Sequence, residues 1–322
     1  MLLNKHLGKL ERSPCWRIVK TCNPLLASVF FPLTYLFRIN RNRNMNKSSH
    51  FTHPPSMVFG LCGQLLCGGS ALFSASSTGA MAPPHLTIIQ PAPATNWESE
   101  CLPIGNGRLG AMIYGGINQE HIQFNEDSVW IGDEQETGAY QALGDLFIAF
   151  EQDGAKAGKA EATDYRRELD ISHAIHTIDY RKNGINYHRE YFASYPANVL
   201  IFRLTADQSG ALSGRLSLRD AHGGSIRVEA NEIYFSDKLA GKYRRPEAGD
   251  PPNYQIRLDY EVRIRVQHEG GALIAEGDAL RFENCDSLLI FLDGGTDYLN
   301  QPAQGWKRAH PRERIRHRLA AA

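Results

Sequence analysis

The sequence predicts a mainly β fold: a large antiparallel β-sandwich (a super-β-sandwich) preceded by a signal-like leader. Three observations predict it. Short apolar runs recur from Leu109 to Leu292 with turn residues between them. One of them, Arg257–Val266, alternates apolar and polar side chains almost perfectly. The opening of the chain has a charge pattern unlike the rest. Recurrent strands at short spacing, with few helical periods, are the pattern of a sandwich, and about 200 residues suit an extended two-sheet domain.

Taken in order, Leu109–Tyr114, His121–Phe124 and Leu146–Phe150 are the first strands expected. His176–Tyr180 and Ile185–Phe192 follow, joined through Asn183-Gly184, a hairpin signal because both residues tolerate positive φ. Val199–Ala206 and Leu212–Leu218 flank Asp207–Gly210. In Arg257–Val266, one face carries Leu258, Tyr260, Val262, Ile264 and Val266, and the other Arg257, Asp259, Glu261, Arg263 and Arg265. That pattern is a half-solvated antiparallel strand. Gly270-Gly271 turns the chain into Ala272–Ala275, and Ala279–Phe282 and Leu288–Leu292 complete the series. Gly241–Asn253 reads as a loop, Tyr165–Asp170 as a charged turn with Arg166 or Arg167 paired locally to Glu168 or Asp170, and the segment after Pro311 as a basic helix.

The 322 residues carry no formal net charge, but the charge is unevenly placed. Nine of the 35 Lys/Arg lie in the first 60 residues, leaving 26 beyond them; of the 35 acids only Glu11 precedes Trp97, leaving 34. An acidic body argues against nucleic acid as a partner, since phosphate binding needs clustered Lys/Arg. In the leader, Arg38, Arg41, Arg43 and Lys47 precede an apolar run from Met57 to Phe73 and then small residues to Ala80. Basic, apolar, small is the order of a secretory signal peptide. It reads as starting at about Met45 and ending at Thr78-Gly79-Ala80, and it implies a secreted or periplasmic protein. The alternative is an upstream region read from a misplaced start codon.

Cys101 and Cys285 are the body's two cysteines; they either pair after export or stay as buried thiols. With no CxxC and no Cys/His ligand spacing, neither a metal site nor a cofactor is expected. His173, His176 and His188 have no spacing that forces convergence, and read as bonded or solvent-facing.

Two polar turns stand out. Pro103, Gly105, Gly107 and Gly110 fall within eight residues and present Asn106 and Arg108 on a tight turn. A second segment ends on Asn125, Glu126 and Asp127, with Trp130 just beyond. Neighbours on a strand point to opposite faces, so Glu126 and Asp127 do not readily flank one bond. Asn125–Asp127 serve either as turn and cap residues, with Asp127 or Ser128 bonding nearby backbone N–H groups, or as the edge of a sugar cleft. Arg108 makes either a salt bridge or a contact to substrate from the rim, and Asn106 is expected in a left-handed turn position. Asn106, Arg108, Asn125 and Glu126 are therefore the candidate substrate- or interdomain-facing residues; none is assigned a catalytic role.

Trp97, Leu102–Ala111, Gly115-Gly116, Gln123, Asn125-Glu126-Asp127 and Trp130 together resemble the opening of glycoside hydrolase family 95, whose best-known members are α-L-fucosidases. Tyr140–Leu146, Tyr165–Asp170, Tyr187–Ser194 and Val199–Ala206 continue the resemblance in the same order, over roughly residues 97 to 310. It implies a super-β-sandwich, then a linker, then an (α/α)6 barrel that carries the general acid and base. The domain reading is accordingly a leader at 1–82, the amino-terminal sandwich at 83–305, and the start of a linker toward the barrel at 306–322. The parent enzyme would hydrolyse terminal α-L-fucosyl bonds of oligosaccharides or glycans with inversion; the present chain, ending where the barrel would begin, would be inactive, its intramolecular partner missing. The alternative is a stand-alone carbohydrate-binding or interaction module, which needs an exposed aromatic platform. Trp97, Trp130 and Trp306 are its candidates, although their places in the motifs suggest packing.

Overall fold

The alternation of apolar residues closes two antiparallel sheets over one core in the computed structural model, which describes residues 86–133, 137–151, 162–241 and 257–322. The leader, with its limits at Met45 and residue 82, lies outside the described residues, as does nearly all of the loop expected at Gly241–Asn253.

Among the described residues, one sheet has nine strands, in spatial order β1 (Thr87–Gln90), β8 (Thr163–Asp170), β9 (Ile175–Lys182), β10 (Ile185–Ser194), β11 (Val199–Ala206), β18 (Ser287–Thr296), β15 (Arg257–Glu269), β14 (Glu232–Ala240) and β13 (Arg227–Glu229). The other has seven: β16 (Ala272–Glu276), β17 (Ala279–Cys285), β12 (Leu212–Asp220), β7 (Gly144–Phe150), β4 (Gln119–Glu126), β3 (Leu109–Ile113) and β2 (Leu102–Gly105). A separate two-stranded ladder pairs β5 (Trp130–Ile131) with β6 (Ala139–Tyr140). This is the large antiparallel β-sandwich that the sequence predicts. The Asn183-Gly184 hairpin forms with φ of 53° and 83°, as its residue types demand.

Period-two alternation decides which face is buried. Ile178, Tyr191, Phe202, Ile290, Ile264 and Phe235 from the nine-stranded sheet meet Ile113, Ile122, Leu146, Leu216 and Leu280 from the other in one core. Each such side chain contributes about 1.5–3 kcal/mol when fully buried. The register follows: Phe202 lies opposite Ile290, and Ile264 opposite Leu292.

Two expectations about the strands are corrected. Tyr165–Asp170 is not a turn but most of β8. Its inward residues include Arg167, 1% exposed, whose Nη1 and Nη2 donate to the carbonyls of Ile113 (3.0 Å) and Glu100 (2.9 Å). A buried arginine answered by backbone carbonyls hides a strand from a hydrophobic pattern. Arg166 does pair locally with Glu168. The second correction concerns β15, whose charged face is covered at its middle: Arg257 stays exposed, but Glu261 and Arg263 do not. The helix α2 (Arg312–Ala321) lies over it, and Glu261 and Arg263 are 0% and 1% exposed. Ile315 and Leu319, one turn apart, pack with Val199 and Phe291 in a second small core on this outer face. Arg312 Nε donates to Glu261 at 3.0 Å, and Arg265 Nη1 to the Leu319 carbonyl at 3.1 Å.

Inside the sandwich, the β3–β4 connection turns through Gly115, at φ 77°. A side chain there would meet Arg167 Cδ and the Tyr165 hydroxyl at 2.6 Å, so the motif glycine is required by crowding as well as by φ. The turn directs backbone toward buried charge: Gly115 N–H donates to Glu120 Oε1 at 2.7 Å, and Glu120 Oε2 accepts from Arg189 (3.2 Å) and the Tyr191 hydroxyl (3.0 Å). His176 stacks on Tyr191, ring centroids 5.7 Å apart, yet it is fully buried with neither ring nitrogen bonded. The expectation of a bonded or solvent-facing residue is therefore corrected for His176, whereas His173 and His188 each contact an aspartate at 2.7 Å. Cys101 and Cys285 are free and buried, and burial pushes the Cys101 thiol up to about 11.

Candidate functional site

The two polar turns meet at one end of the sandwich. The β2–β3 turn holds Asn106 and Arg108, and the end of β4 holds Asn125 and Glu126. Leu109 pairs with Glu126 across β3 and β4, which brings the turns together. The left-handed position is Gly107, at φ 93°, rather than Asn106 as expected. Asn106 instead closes the turn with its side chain: Oδ1 accepts from the N–H groups of Arg108 (3.1 Å) and Leu109 (2.9 Å). Its Nδ2 donates to the Ser194 carbonyl at 2.9 Å, tying the turn to the nine-stranded sheet.

Arg108 occupies the centre. Its Nε donates to Asn198 Oδ1 at 2.8 Å. Nη1 reaches the Gly294 carbonyl at 2.6 Å and Glu126 Oε1 at 3.2 Å. Nη2 reaches the Asn198 carbonyl at 2.8 Å and Asp293 Oδ1 at 2.6 Å. A guanidinium has five N–H donors, and these contacts engage all of them. Asp293 is fully buried and takes Arg318 Nε of α2 on its other oxygen at 2.7 Å. The turn of one sheet, a strand of the other and the covering helix are thus joined through a single carboxylate.

Glu126 is 3% exposed. Its Oε2 accepts from the Ser128 N–H at 2.9 Å and the Ser128 hydroxyl at 2.5 Å, so the capping expected of Asp127 or Ser128 falls to Glu126. The Ser128 hydroxyl spends its one proton on Glu126, so the 2.6 Å contact to Thr296 Oγ1 is donated by Thr296. Burial pushes the Glu126 carboxyl above its ordinary range, against the pull of Ser128 and Arg108. A raised carboxyl is one mark of a proton donor, but Arg108 and Ser128 already occupy both oxygens. Asn125 Nδ2 donates to the Gln141 carbonyl at 3.0 Å, and its Oδ1 accepts from the Glu126 N–H at 2.9 Å. All four candidate residues thus have partners within the domain. Asp127, the next residue, lies in the turn after β4 and is exposed, so the two adjacent carboxyls sit in different surroundings, one buried and one in solvent.

Beyond this rim, Trp130 and Tyr140 stand opposite each other on the small ladder, and both are 46% exposed. Trp97, on the short helix α1 (Trp97–Glu100), is 44% exposed. The packing expected from the motif positions is corrected for both tryptophans; Trp306 is partly buried. Sequence reasoning also missed Asn198 and Asp293. Their signal was weak: each is a polar residue at the end of an apolar run, and its partner lies far away in sequence. A cavity of about 230 Å³ opens between the sheets, lined by Ile117, Phe150, Tyr180, Lys182 and Tyr187 among others. It is smaller than the roughly 300–1,000 Å³ of most small-molecule sites. No three His, Cys, Asp or Glu side chains are grouped to hold a metal among the described residues.

A family model described as glycosyl hydrolase family 65, N-terminal domain, matches residues 88–139 and 133–301. Alpha-L-fucosidase 2 of Arabidopsis thaliana is 27% identical over 254 residues, covering 64% of this chain and 30% of that protein. The protein named "Probable alpha-fucosidase A" in Aspergillus niger is 27% identical over 186 residues, covering 45% of this chain and 23% of its own. Its Aspergillus oryzae namesake is 24% identical over 251 residues, covering 64% and 32%. The chain spans less than a third of the length of each of these relatives. The resemblance carried by the motifs is borne out by the family model and by these relatives.

Proposed function

The chain belongs to the family of glycosyl hydrolase family 65 N-terminal domains, and from that premise we propose that residues 83–305 are the non-catalytic amino-terminal sandwich of an exported α-L-fucosidase-like glycoside hydrolase. Residues 306–322 lead toward an (α/α)6 barrel that supplies the general acid and the base. The sandwich buttresses that barrel, and the parent enzyme acts on fucosylated oligosaccharides or glycans with inversion. The names of the three relatives support the substrate class, and the basic, apolar, small order of the leader supports export to the periplasm or outside the cell.

One observation carries the non-catalytic reading: the polar groups of Asn106, Arg108, Asn125 and Glu126 are engaged within the domain. An inverting hydrolase needs an acid and an activated water on opposite sides of the sugar, its carboxyls roughly 6.5–9.5 Å apart. At this rim one carboxyl is sealed by Arg108 and Ser128, and its neighbour lies exposed in the turn that follows. The rim is a rigid support in this reading, and its exposed polar edge faces the catalytic domain.

The test is hydrolysis of an aryl α-L-fucoside by the purified chain and by the longer protein that contains it. The longer protein should turn over and the chain should not. Turnover by the chain alone overturns the non-catalytic role, and no turnover by the longer protein overturns the substrate class.

A further inference from the structure

The ring faces of the exposed aromatic pair on the small ladder are not used by the rim. Trp130 and Tyr140 are directly opposed partners of β5 and β6, so their side chains share one face. Their centroids are 6.4 Å apart and the rings are tilted by 41°. Both polar handles are turned back into the protein: Trp130 Nε1 donates to the Thr137 carbonyl at 2.7 Å, and the Tyr140 hydroxyl donates to the Glu126 carbonyl at 3.0 Å. The rings are fixed in place by these bonds, and the ring surface left to solvent is carbon. Asp127 follows Glu126, whose carbonyl receives the Tyr140 hydroxyl, and its exposed carboxylate is near enough to that hydroxyl to help burial hold it protonated; its own N–H donates to the Arg108 carbonyl at 2.9 Å, so the rim holds its backbone still.

We infer that Trp130, Tyr140 and Asp127 form a binding site for a pyranose ring, the two aromatic rings meeting its C–H surface and the Asp127 carboxylate accepting from its hydroxyls. The ligand must be carbon-rich on one side and donor-rich on another. A wholly apolar partner would desolvate the Asp127 charge without pairing it, which is unfavourable. A phosphate or acidic ligand would be repelled by the same group. An organic cation could also use two rings and a carboxylate. The choice of a sugar over a cation rests on the glycosidase reading above, and within that reading a terminal L-fucosyl residue fits best. Its C6 is a methyl group rather than a hydroxymethyl, which enlarges the carbon surface offered to the rings.

The chain has four tryptophans, so four indole N–H signals are available by ¹H–¹⁵N spectroscopy of the full chain, and Trp130→Phe identifies the one that matters. Titration with methyl α-L-fucopyranoside should shift that signal saturably, while choline chloride should not. Tyr140→Ala and Asp127→Asn, checked for an unchanged fold by circular dichroism, should each weaken the response by roughly tenfold, as expected for loss of a central contact. No saturable shift of the Trp130 signal, or an unaltered response in both variants, overturns the site. Tighter binding of choline than of the fucoside overturns the sugar assignment. Failure here leaves the fucosidase reading standing whenever the longer protein still cleaves its aryl fucoside, so the two failures are distinguishable.

Discussion

Arg108 Nη2 lies 2.6 Å from Asp293 Oδ1, and this ion pair joins the β2–β3 turn of the seven-stranded sheet to β18 of the nine-stranded sheet. Asp293 is fully buried, while the Arg108 side chain keeps one edge near solvent, 20% exposed. Removing the guanidinium would strip Glu126, Asn198 and the Gly294 carbonyl of a donor at the same time. Breaking a buried pair by deleting one partner costs about 3–5 kcal/mol. Because Asp293 keeps Arg318, Arg108→Ala should fall near the lower end, about 3 kcal/mol in urea denaturation. The double variant Arg108→Ala/Asp293→Asn should cost less than the sum of the singles by at least about 1 kcal/mol. Simple additivity would mean that the two groups do not stabilise each other.

His176 makes stability depend on pH. Burial holds its imidazole down to about 3 in the fold, with Arg167 adding to the effect, against an ordinary value of 6.5. Above pH 6.5 the ring is neutral in both folded and unfolded chains and contributes no pH dependence. Below 6.5 the unfolded chain takes up a proton that the fold refuses, so stability is lost as pH falls from 6.5 toward 3. The slope is about 1.4 kcal/mol per pH unit in that window. His176→Phe should remove this component: the variant's stability relative to the parent should improve steadily from pH 6.5 to 4.5. At pH 7.5 it should be near neutral, since replacing an unbonded buried polar ring by an apolar one of similar shape sacrifices no hydrogen bond. Parallel stability–pH curves for the two proteins would refute the assignment.

The strands were legible wherever apolar residues alternate, as in Leu109–Tyr114, Ile185–Phe192 and Arg257–Val266, because the side-chain period of a strand is two. β8 was not, because Arg166, Arg167 and Glu168 look like a solvated turn until two backbone carbonyls are seen to receive Arg167. The same limit applied at the rim. Asn106, Arg108, Asn125 and Glu126 could be picked out by their turns, but Asn198 and Asp293 lie about 90 and 185 positions from Arg108 and no local pattern links them. The charged face of β15 was legible as a face, and its cover was not: only packing reveals that α2 lies over it. The rotation of Trp130 and Tyr140 into solvent depends on two hydrogen bonds to carbonyls, which sequence does not report.

The cover itself is testable. Leu319 is 1% exposed and packs in a small core with Ile315, Val199 and Phe291. Leu319→Ala should remove about 2–4 kcal/mol of packing, but the loss should be local because this cluster is separate from the sandwich core. Amide exchange should accelerate in α2 and on the adjacent outer positions of β18, with β3, β4 and β7 unchanged. Uniform acceleration across both sheets would show that the helix and the sandwich unfold as one.

The two motif glycines with positive φ should respond differently to alanine. Gly107, at φ 93°, has open space where a side chain would go. Gly107→Ala should therefore cost only the backbone strain of a left-handed residue, about 1–2 kcal/mol. Gly115, at φ 77°, would place its methyl group 2.6 Å from Arg167 Cδ and from the Tyr165 hydroxyl, which itself donates to the Gly115 carbonyl at 2.7 Å. Those side chains are anchored, since Arg167 is buried and bonded to two carbonyls, so they cannot retreat cheaply. Gly115→Ala should pay the same backbone strain and an overpacking cost of about 1–3 kcal/mol besides, and Gly115 N–H should lose its hold on Glu120. Chemical denaturation of the two variants side by side separates the effects: Gly115→Ala should be the less stable by at least about 1 kcal/mol. Equal losses would mean that the β3–β4 turn relaxes and that the crowding around Gly115 is not what requires a glycine there.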